Sequence, residues 1–278
     1  MRSVGPGDPI KGRAGELTMK TELISTVFLS EKRKNTLIML MEKPASIDEI
    51  KSSINGTTSA IMAQIKILLE QGLIEQENDE YRLTHVGQII LKKIKPLIEA
   101  LNVVEGNKDF WASRDLGAVP DMLLDRIGDL GDVMIHEPDL NHLFEPPKEL
   151  LTSLKQTKNV CTFYSYFCPT CPNNYAELAR KEVNYNLILT RPVYERLKEE
   201  YTEQYNAIME SQNSHLFVCD ENIIKPGAIS VTDNLLLLSF FNKKGFFDHK
   251  KVISFEDTAR QWGQEFFLHY RGLAEQVK

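Results

Sequence analysis

Apolar positions recur at helical spacing through the first third of the chain, with one short interruption where the period falls to two. Leu23, Ile24, Val27 and Phe28 share one helical face, and Ser30 is placed to cap a second helix whose Leu37, Ile38, Leu40 and Met41 face a core. Pro44 stops it. Ser46 followed three residues later by Glu49 is a capping box for a short helix over 47–54. Asn55-Gly56 makes a turn, and Thr57 or Thr58 caps the next helix, in which Ile61, Ile65, Leu68 and Leu69 line one side. Gly72 ends that helix as the residue after its cap. The period then shortens: Leu73 and Ile74 lead out, Asn78-Asp79 turns, and Tyr81 and Leu83 return, which predicts a two-stranded hairpin. Thr84 caps a long helix ending near Gly106, with Pro96 inside it as a kink or break.

Helices, a hairpin and a following helix in this order make the plan of a winged helix-turn-helix. That plan lays the helix beginning at Thr57 in the major groove of double-stranded DNA. Its outward face is Thr57, Thr58, Ser59, Met62, Ala63 and Lys66. Hydroxyls can bond bases or phosphate, Met62 and Ala63 can touch thymine methyls, and Lys66 can meet phosphate.

Residues 107–278 carry a different pattern. Strand-like runs at 160–167, 183–189, 215–219, 228–232 and 235–241 alternate with helical stretches: a link and an amphipathic helix over 110–130, a helix from Pro192 to about Met209, and a closing helix from Asp257 to Tyr270. Asp233-Asn234 is placed to join two strands as a hairpin, and the proline-rich 131–147 reads as loop. The fold class expected is therefore a two-domain α+β or α/β chain: an N-terminal winged helix-turn-helix over 19–106 and a mixed β-sheet flanked by helices over 107–278. Residues 1–18 show no apolar periodicity and read as a disordered tail, an expression remnant or an over-extended start.

Composition changes this picture little and charge changes it more. With 42% hydrophobic and 26% charged residues the chain is of ordinary globular type. No apolar run approaches the roughly 20 residues of a membrane-spanning helix, so a cytoplasmic location and no membrane partner are expected. Residues 20–106 carry 11 basic and 12 acidic side chains, whereas a DNA-binding domain is expected to be basic. DNA binding then requires the positive charges, notably Lys32, Arg33, Lys34, Lys66 and Arg82, to gather on one face. It also favours a homodimer, because two weak half-site contacts add.

Chemistry is sparse. No nucleophile is paired with a base and no glycine-rich phosphate loop occurs, so an enzyme is not expected. Cys168 and Cys171, three residues apart, are the one motif with a mechanism: a thiol redox pair, or half of a zinc site completed by Cys161 and Cys219. Two structural cysteines without a role are the plainer reading, and no cofactor is expected. A small-molecule effector pocket between sheet and helices is a further expectation. The competing function is a thiol-redox or metal-dependent protein whose winged helix docks another protein.

The segment GLIEQENDEYRLTHVGQIIL resembles the ArsR-type winged-helix signature, in which GL closes the recognition helix and Y-x-L-T-x-x-G closes the wing. It lacks the cysteine metal box of some such helices, so metal sensing is not carried over. The segments at 110–130, 184–197 and 227–270 resemble the output domain of winged-helix regulators from methanogenic archaea. That resemblance implies a regulator of methanogenesis genes.

Overall fold

The computed structural model describes residues 22–181, 183–220, 222–223 and 225–277; the tail expected at 1–18 lies outside the described residues. The chain forms two compact units, Met1–Lys95 and Pro96–Lys278. The division falls at Pro96, inside the linker helix and upstream of the boundary expected at 106/107.

The first unit runs α1 (Glu22–Phe28), α2 (Glu31–Glu42), β1 (Ala45–Ser46), α3 (Ile47–Ser53), α4 (Thr58–Glu70), β2 (Ile74–Glu77), β3 (Glu80–Leu83) and α5 (His85–Glu105). The expected caps are in place. Ser30 Oγ accepts from the Arg33 amide at 3.4 Å. Ser46 and Glu49 make the reciprocal capping box of α3. The Ser46 backbone and then Lys43 hold the Glu49 carboxyl down at about 2. Thr57 caps α4 through the Ala60 amide at 3.3 Å. At the other end of α4 the Gly72 amide donates to the Leu69 carbonyl and the Leu73 amide to Leu68, both at 3.0 Å. This is a Schellman closure, and it turns on Gly72 at φ +67°.

β2 and β3 pair in antiparallel register from Ile74–Leu83 to Glu77–Glu80, with Asn78 and Asp79 both at positive φ in the turn. A third strand, β1, pairs Ala45 with Tyr81 and was not anticipated: two residues are too short to show a period. The core is one cluster that includes Leu37, Ile50, Ile61, Ile65, Leu68 and Leu91. Each such buried side chain is worth about 1.5–3 kcal/mol.

The Y-x-L-T-x-x-G run acquires a physical meaning here. Tyr81 and Leu83 are its core-facing residues. The Thr84 hydroxyl donates to the Gly72 carbonyl at 2.6 Å and accepts from the Gly87 amide at 3.0 Å, tying the end of α4 to the start of α5. Gly87 lies so close to the wing that a Cβ there would stand 2.1 Å from the Leu73 carbonyl oxygen. Only glycine fits.

The second unit adds α6 (Lys108–Ser113), α7 (Asp121–Leu124), a 3-10 turn (Ile127–Leu130), β4 (Met134–His136), α8 (Lys148–Gln156), β5 (Asn159–Tyr164), α9 (Cys171–Arg180), β6 (Asn184–Thr190), α10 (Arg191–Glu200) and α11 (Thr202–Glu210). It ends with β7 (Ser214–Cys219), β8 (Ala228–Val231), β9 (Leu236–Ser239), β10 (Lys251–Ser254), α12 (Asp257–Gly272) and β11 (Ala274–Gln276). The eight strands form one mixed sheet in the order β11-β7-β6-β5-β8-β9-β10-β4. β5, β6 and β7 are parallel, and the pairings β5–β8, β8–β9, β9–β10 and β10–β4 are antiparallel.

Strand alternation gives the sheet two apolar faces. Phe163, Ile188, Phe217 and Leu238 pack with Trp262, Phe266 and Tyr270 of α12. Tyr164, Tyr185, Leu187 and Leu216 pack under Leu178 of α9, Leu197 of α10 and Ile208 of α11, while Leu150 of α8 meets Leu235, Leu237 and Ile253. Four expectations are corrected. β4 lies within the stretch read as loop, where three residues followed closely by Pro138 are too few to show a period. β11 was missed for the same shortness. The helix expected from Pro192 to Met209 is two helices separated at Tyr201, whose φ of −130° and ψ of 49° leave the helical region. The helix expected in 110–130 is the pair α6 and α7 followed by the 3-10 turn.

Candidate nucleic-acid interface

Thr57, Thr58, Ser59, Met62, Ala63 and Lys66 all stand exposed on α4, on the face opposite the buried Ile61, Ile65 and Leu68. The first turn of α4 contains no acidic side chain, so its N-terminal amides and the positive end of its dipole are uncompensated by the helix itself. The Thr57 and Ser59 hydroxyls lie 3.2 Å apart. Lys66 is loosely matched to Glu70 at 3.8 Å and stays largely exposed.

The other expected cations meet different fates. Lys32 lies over the turn that leads into α4: a Cβ on Gly56 would be 3.1 Å from its Nζ, and it has no ion pair among the described residues. Arg33 is a correction. Its guanidinium points inward, donating to the Thr26 carbonyl at 2.5 Å and to Gln64 Oε1 of α4 at 2.6 Å. It braces α1 and α2 against α4 and is lost as a phosphate contact. Lys34 pairs with Glu31 at 2.8 Å. Arg82 on the wing bonds Glu75 at 2.8 Å and also pairs with Glu77, and the Glu75 hydrogen bond followed by the Glu77 charge raises its pKa further. The wing thus neutralises its own cation. Two lysines were passed over in the sequence: Lys92 and Lys93 are exposed on α5 and have no ion pair among the described residues. An exposed lysine on a helix carries no local signal that separates it from an ordinary solvated charge.

In the second unit the cysteines do not converge. Cys168 and Cys171 are joined in a disulfide at the start of α9 and belong to the α9 side of the sheet. Cys161 and Cys219 belong to the α12 side, and burial pushes the Cys161 thiol up to about 11. Among the described residues no three histidine, cysteine or acidic side chains are grouped to hold a metal ion. Among the described residues of this unit the charged group most fully withdrawn from solvent is Arg114, 3% exposed, whose guanidinium bonds both Asp248 carboxylate oxygens at 2.7 and 2.5 Å and stacks 4.4 Å from the Phe110 ring. No helix among the described residues is long and apolar enough to cross a membrane.

Comparison with known proteins gives this geometry a setting. A curated relative, the methanogenesis regulatory protein FilR1 of Methanothrix harundinacea (strain 6Ac), is 21% identical over 248 residues, covering 87% of this chain. The chain spans about half of that relative, 55% of its length. Among solved structures, TrmBL2, described as an archaeal chromatin protein with a novel mode of DNA binding, aligns with 93% of this chain and 100% of its own at a TM-score of 0.42 and 14% identity. Nuc from Salmonella typhimurium, a phospholipase D family member, aligns with 53% of this chain and 98% of its own at a TM-score of 0.38 and 12% identity. Neither likeness is strong enough to assign a function. Residues 21–102 match the FilR1 N-terminal domain and 143–273 the FilR1 middle domain; the narrower ArsR-type likeness of the wing is not part of these matches. Family and relative are both named as regulatory proteins, in keeping with a chain expected not to be an enzyme. The chain carries the N-terminal and middle domains of the FilR1 methanogenesis regulatory protein family.

Proposed function

We propose that this protein is a DNA-binding transcription regulator that acts as a homodimer on methanogenesis genes, with the second unit sensing a cue. The observation that carries the reading is the outer face of α4. Small hydroxyl side chains, Met62 and Lys66 stand exposed on a helix whose two ends are fixed by a threonine cap and a Schellman turn. A rigid helix with no acidic side chain in its first turn is what major-groove reading requires. The dimer reading is supported by α5, where Val86, Ile89, Leu97 and Leu101 recur at helical spacing and remain exposed. The cue would act by altering the separation of two recognition helices, because half-site spacing is strict.

A gel-shift titration on promoter fragments of methanogenesis genes tests the assignment. Lys66→Glu and Lys32→Glu are expected to weaken binding on every fragment, and replacing either by Ala to lower the salt slope by about 1. Undiminished binding by both charge-reversed variants would remove α4 from the interface. Sedimentation of the protein with Leu97→Glu and Leu101→Glu together tests the dimer: a monomeric double variant agrees with it, and an unchanged dimer moves the contact elsewhere.

The Cys168–Cys171 disulfide favours a second reading, a thiol-redox switch in the same regulator. Counting free thiols before and after mild reductant, alongside DNA affinity, tests it. Affinity that ignores the redox state of the pair would exclude it.

A further inference from the structure

Lys251 is in the wrong place for a lysine. It begins β10, and Ile253 two residues on packs with Leu150, Leu235 and Leu237 under α8. Side chains two apart on a strand share a face, so Lys251 points into that same apolar layer. The residue is 5% exposed. Lysine is almost never buried this far without a charged partner. Yet among the described residues no carboxylate reaches Lys251, and its Nζ bonds one backbone carbonyl, that of His249, at 3.2 Å. Burial pushes the ammonium down to about 8, so it remains charged at neutral pH.

Next to it stands a second unmet polar group. Val252 pairs with Leu238, so one position further Lys251 faces Ser239 on β9. The Ser239 hydroxyl is buried without a hydrogen-bond partner among the described residues. Both groups lie in the cross-strand row that starts at Tyr164, the last residue of β5: Tyr164 pairs with Ala228 and Ala228 with Ser239.

A cavity opens on Lys251 here, walled by Tyr164, Tyr166, Leu237, His249 and Phe144. Its free volume is about 10 Å³, room for roughly one water. What closes it is the 137–147 strap between β4 and α8. On the strap's far side is an outer cleft of about 340 Å³ that shares Glu145, Pro146 and Pro147 with the inner cavity. The strap is lightly held: Phe144 touches the His249 ring edge-on at 5.3 Å yet is 58% exposed, and Leu140 is 91% exposed. Two acids of the cleft are already matched, Glu137 to Lys250 at 2.5 Å and Asp139 to His142 at 2.8 Å. Glu145 stands in solvent at the mouth.

We infer that this cavity is the binding site of a small organic carboxylate, whose head meets Lys251 and whose apolar body lies on Tyr164, Tyr166 and Leu237 once the strap lifts. The inference deepens the sensor reading of the second unit and rests on it. One ammonium matches a singly charged head, and the aromatic walls match an apolar tail. A ligand that binds under the strap couples occupancy to the strap's position.

The test uses the full chain, first without DNA. Hexanoate and phenylacetate are titrated against hexanamide and phenylacetamide by calorimetry, on wild type, Lys251→Met and Phe144→Ala. The carboxylates are expected to bind about tenfold or more tightly than the amides, the scale of one hydrogen bond to a charged group. Lys251→Met is expected to abolish that preference. Phe144→Ala, a change on the exposed strap that the fold tolerates, is expected to weaken carboxylate binding while keeping the preference. No carboxylate binding at millimolar concentration, equal binding of the amides, or a preference that survives Lys251→Met would each overturn the site. A gel shift with and without the bound carboxylate then separates the two ideas: binding without any effect on DNA affinity keeps the site and defeats the sensor reading.

Discussion

The two units handle positive charge in opposite ways. In the winged-helix unit the matched cations are paired at the surface with neighbouring acids: Lys34 with Glu31, Lys51 with Asp48, Arg82 with Glu75 and Glu77. Such exposed pairs contribute little, typically below about 1 kcal/mol each, and they leave Lys32, Lys66 on the outer face of α4, and Lys92 and Lys93 on α5 as the sparse positive element. Among the described residues of the second unit two cations are almost fully buried. Arg114 is bound by both oxygens of Asp248, while Lys251 has only a carbonyl. Surface pairs can be lost cheaply, a buried matched pair cannot, and a buried unmatched charge is a standing cost. The contrast teaches that near-neutrality of a domain says little about its interface, because what matters is which charges are already matched.

The contrast can be broken at its strongest point first. Asp248→Ala leaves the Arg114 guanidinium buried and unpaired, and is expected to cost about 3 kcal/mol in chemical denaturation followed at the second unit. Asp248 keeps about a third of its side chain exposed, which sets the effect at the lower end of the range for such pairs. A loss below about 1 kcal/mol would mean that water replaces the carboxylate.

Gly87→Ala comes next, at about 2–3 kcal/mol in the winged-helix unit, since its Cβ meets the Leu73 backbone rather than a side chain that can swing away. Unfolding of the two units is to be followed separately, by amide exchange, so that a loss confined to the first unit supports the contact.

Lys251→Met acts in the opposite direction. It is expected to stabilise the second unit at pH 7 by roughly 2 kcal/mol, because the folded state holds a charge that the unfolded chain solvates freely. The pH dependence carries the sign. Below about 8 the folded and unfolded states both hold the proton and the penalty is constant. Above it the folded protein releases the proton while the unfolded chain keeps it up to about 10.4, so wild-type stability gains on the variant across that window. Thermal melts of the pair from about pH 7 to 10.5 check it, and a flat difference would refute the unmatched charge. The smallest effect is Ser46→Ala, expected to cost about 1 kcal/mol in the first unit by opening the capping box of α3.

The sequence by itself determined the winged helix, because its rules are local. Caps at Ser30, Ser46 and Thr57, the Gly72 stop and the return of Tyr81 and Leu83 each act over a few neighbouring residues, and the structure contains them all. The exposed face of α4 follows from the same spacing. The hairpin across Asp233-Asn234 and the mixed sheet were legible for the same reason. What only the tertiary structure decided is the state of the charged and polar groups. Arg33 looks in sequence like its lysine neighbours, and only the approach of Gln64, 31 residues away, makes it a brace. Lys251 follows Lys250 in a basic doublet, and strand register alone sends one outward to Glu137 and the other into an apolar layer. The short strands β1, β4 and β11 likewise exist only through their partners. A side chain's partner is a long-range property, so the sequence names the group while the fold decides whether it is matched, solvated or waiting for a ligand.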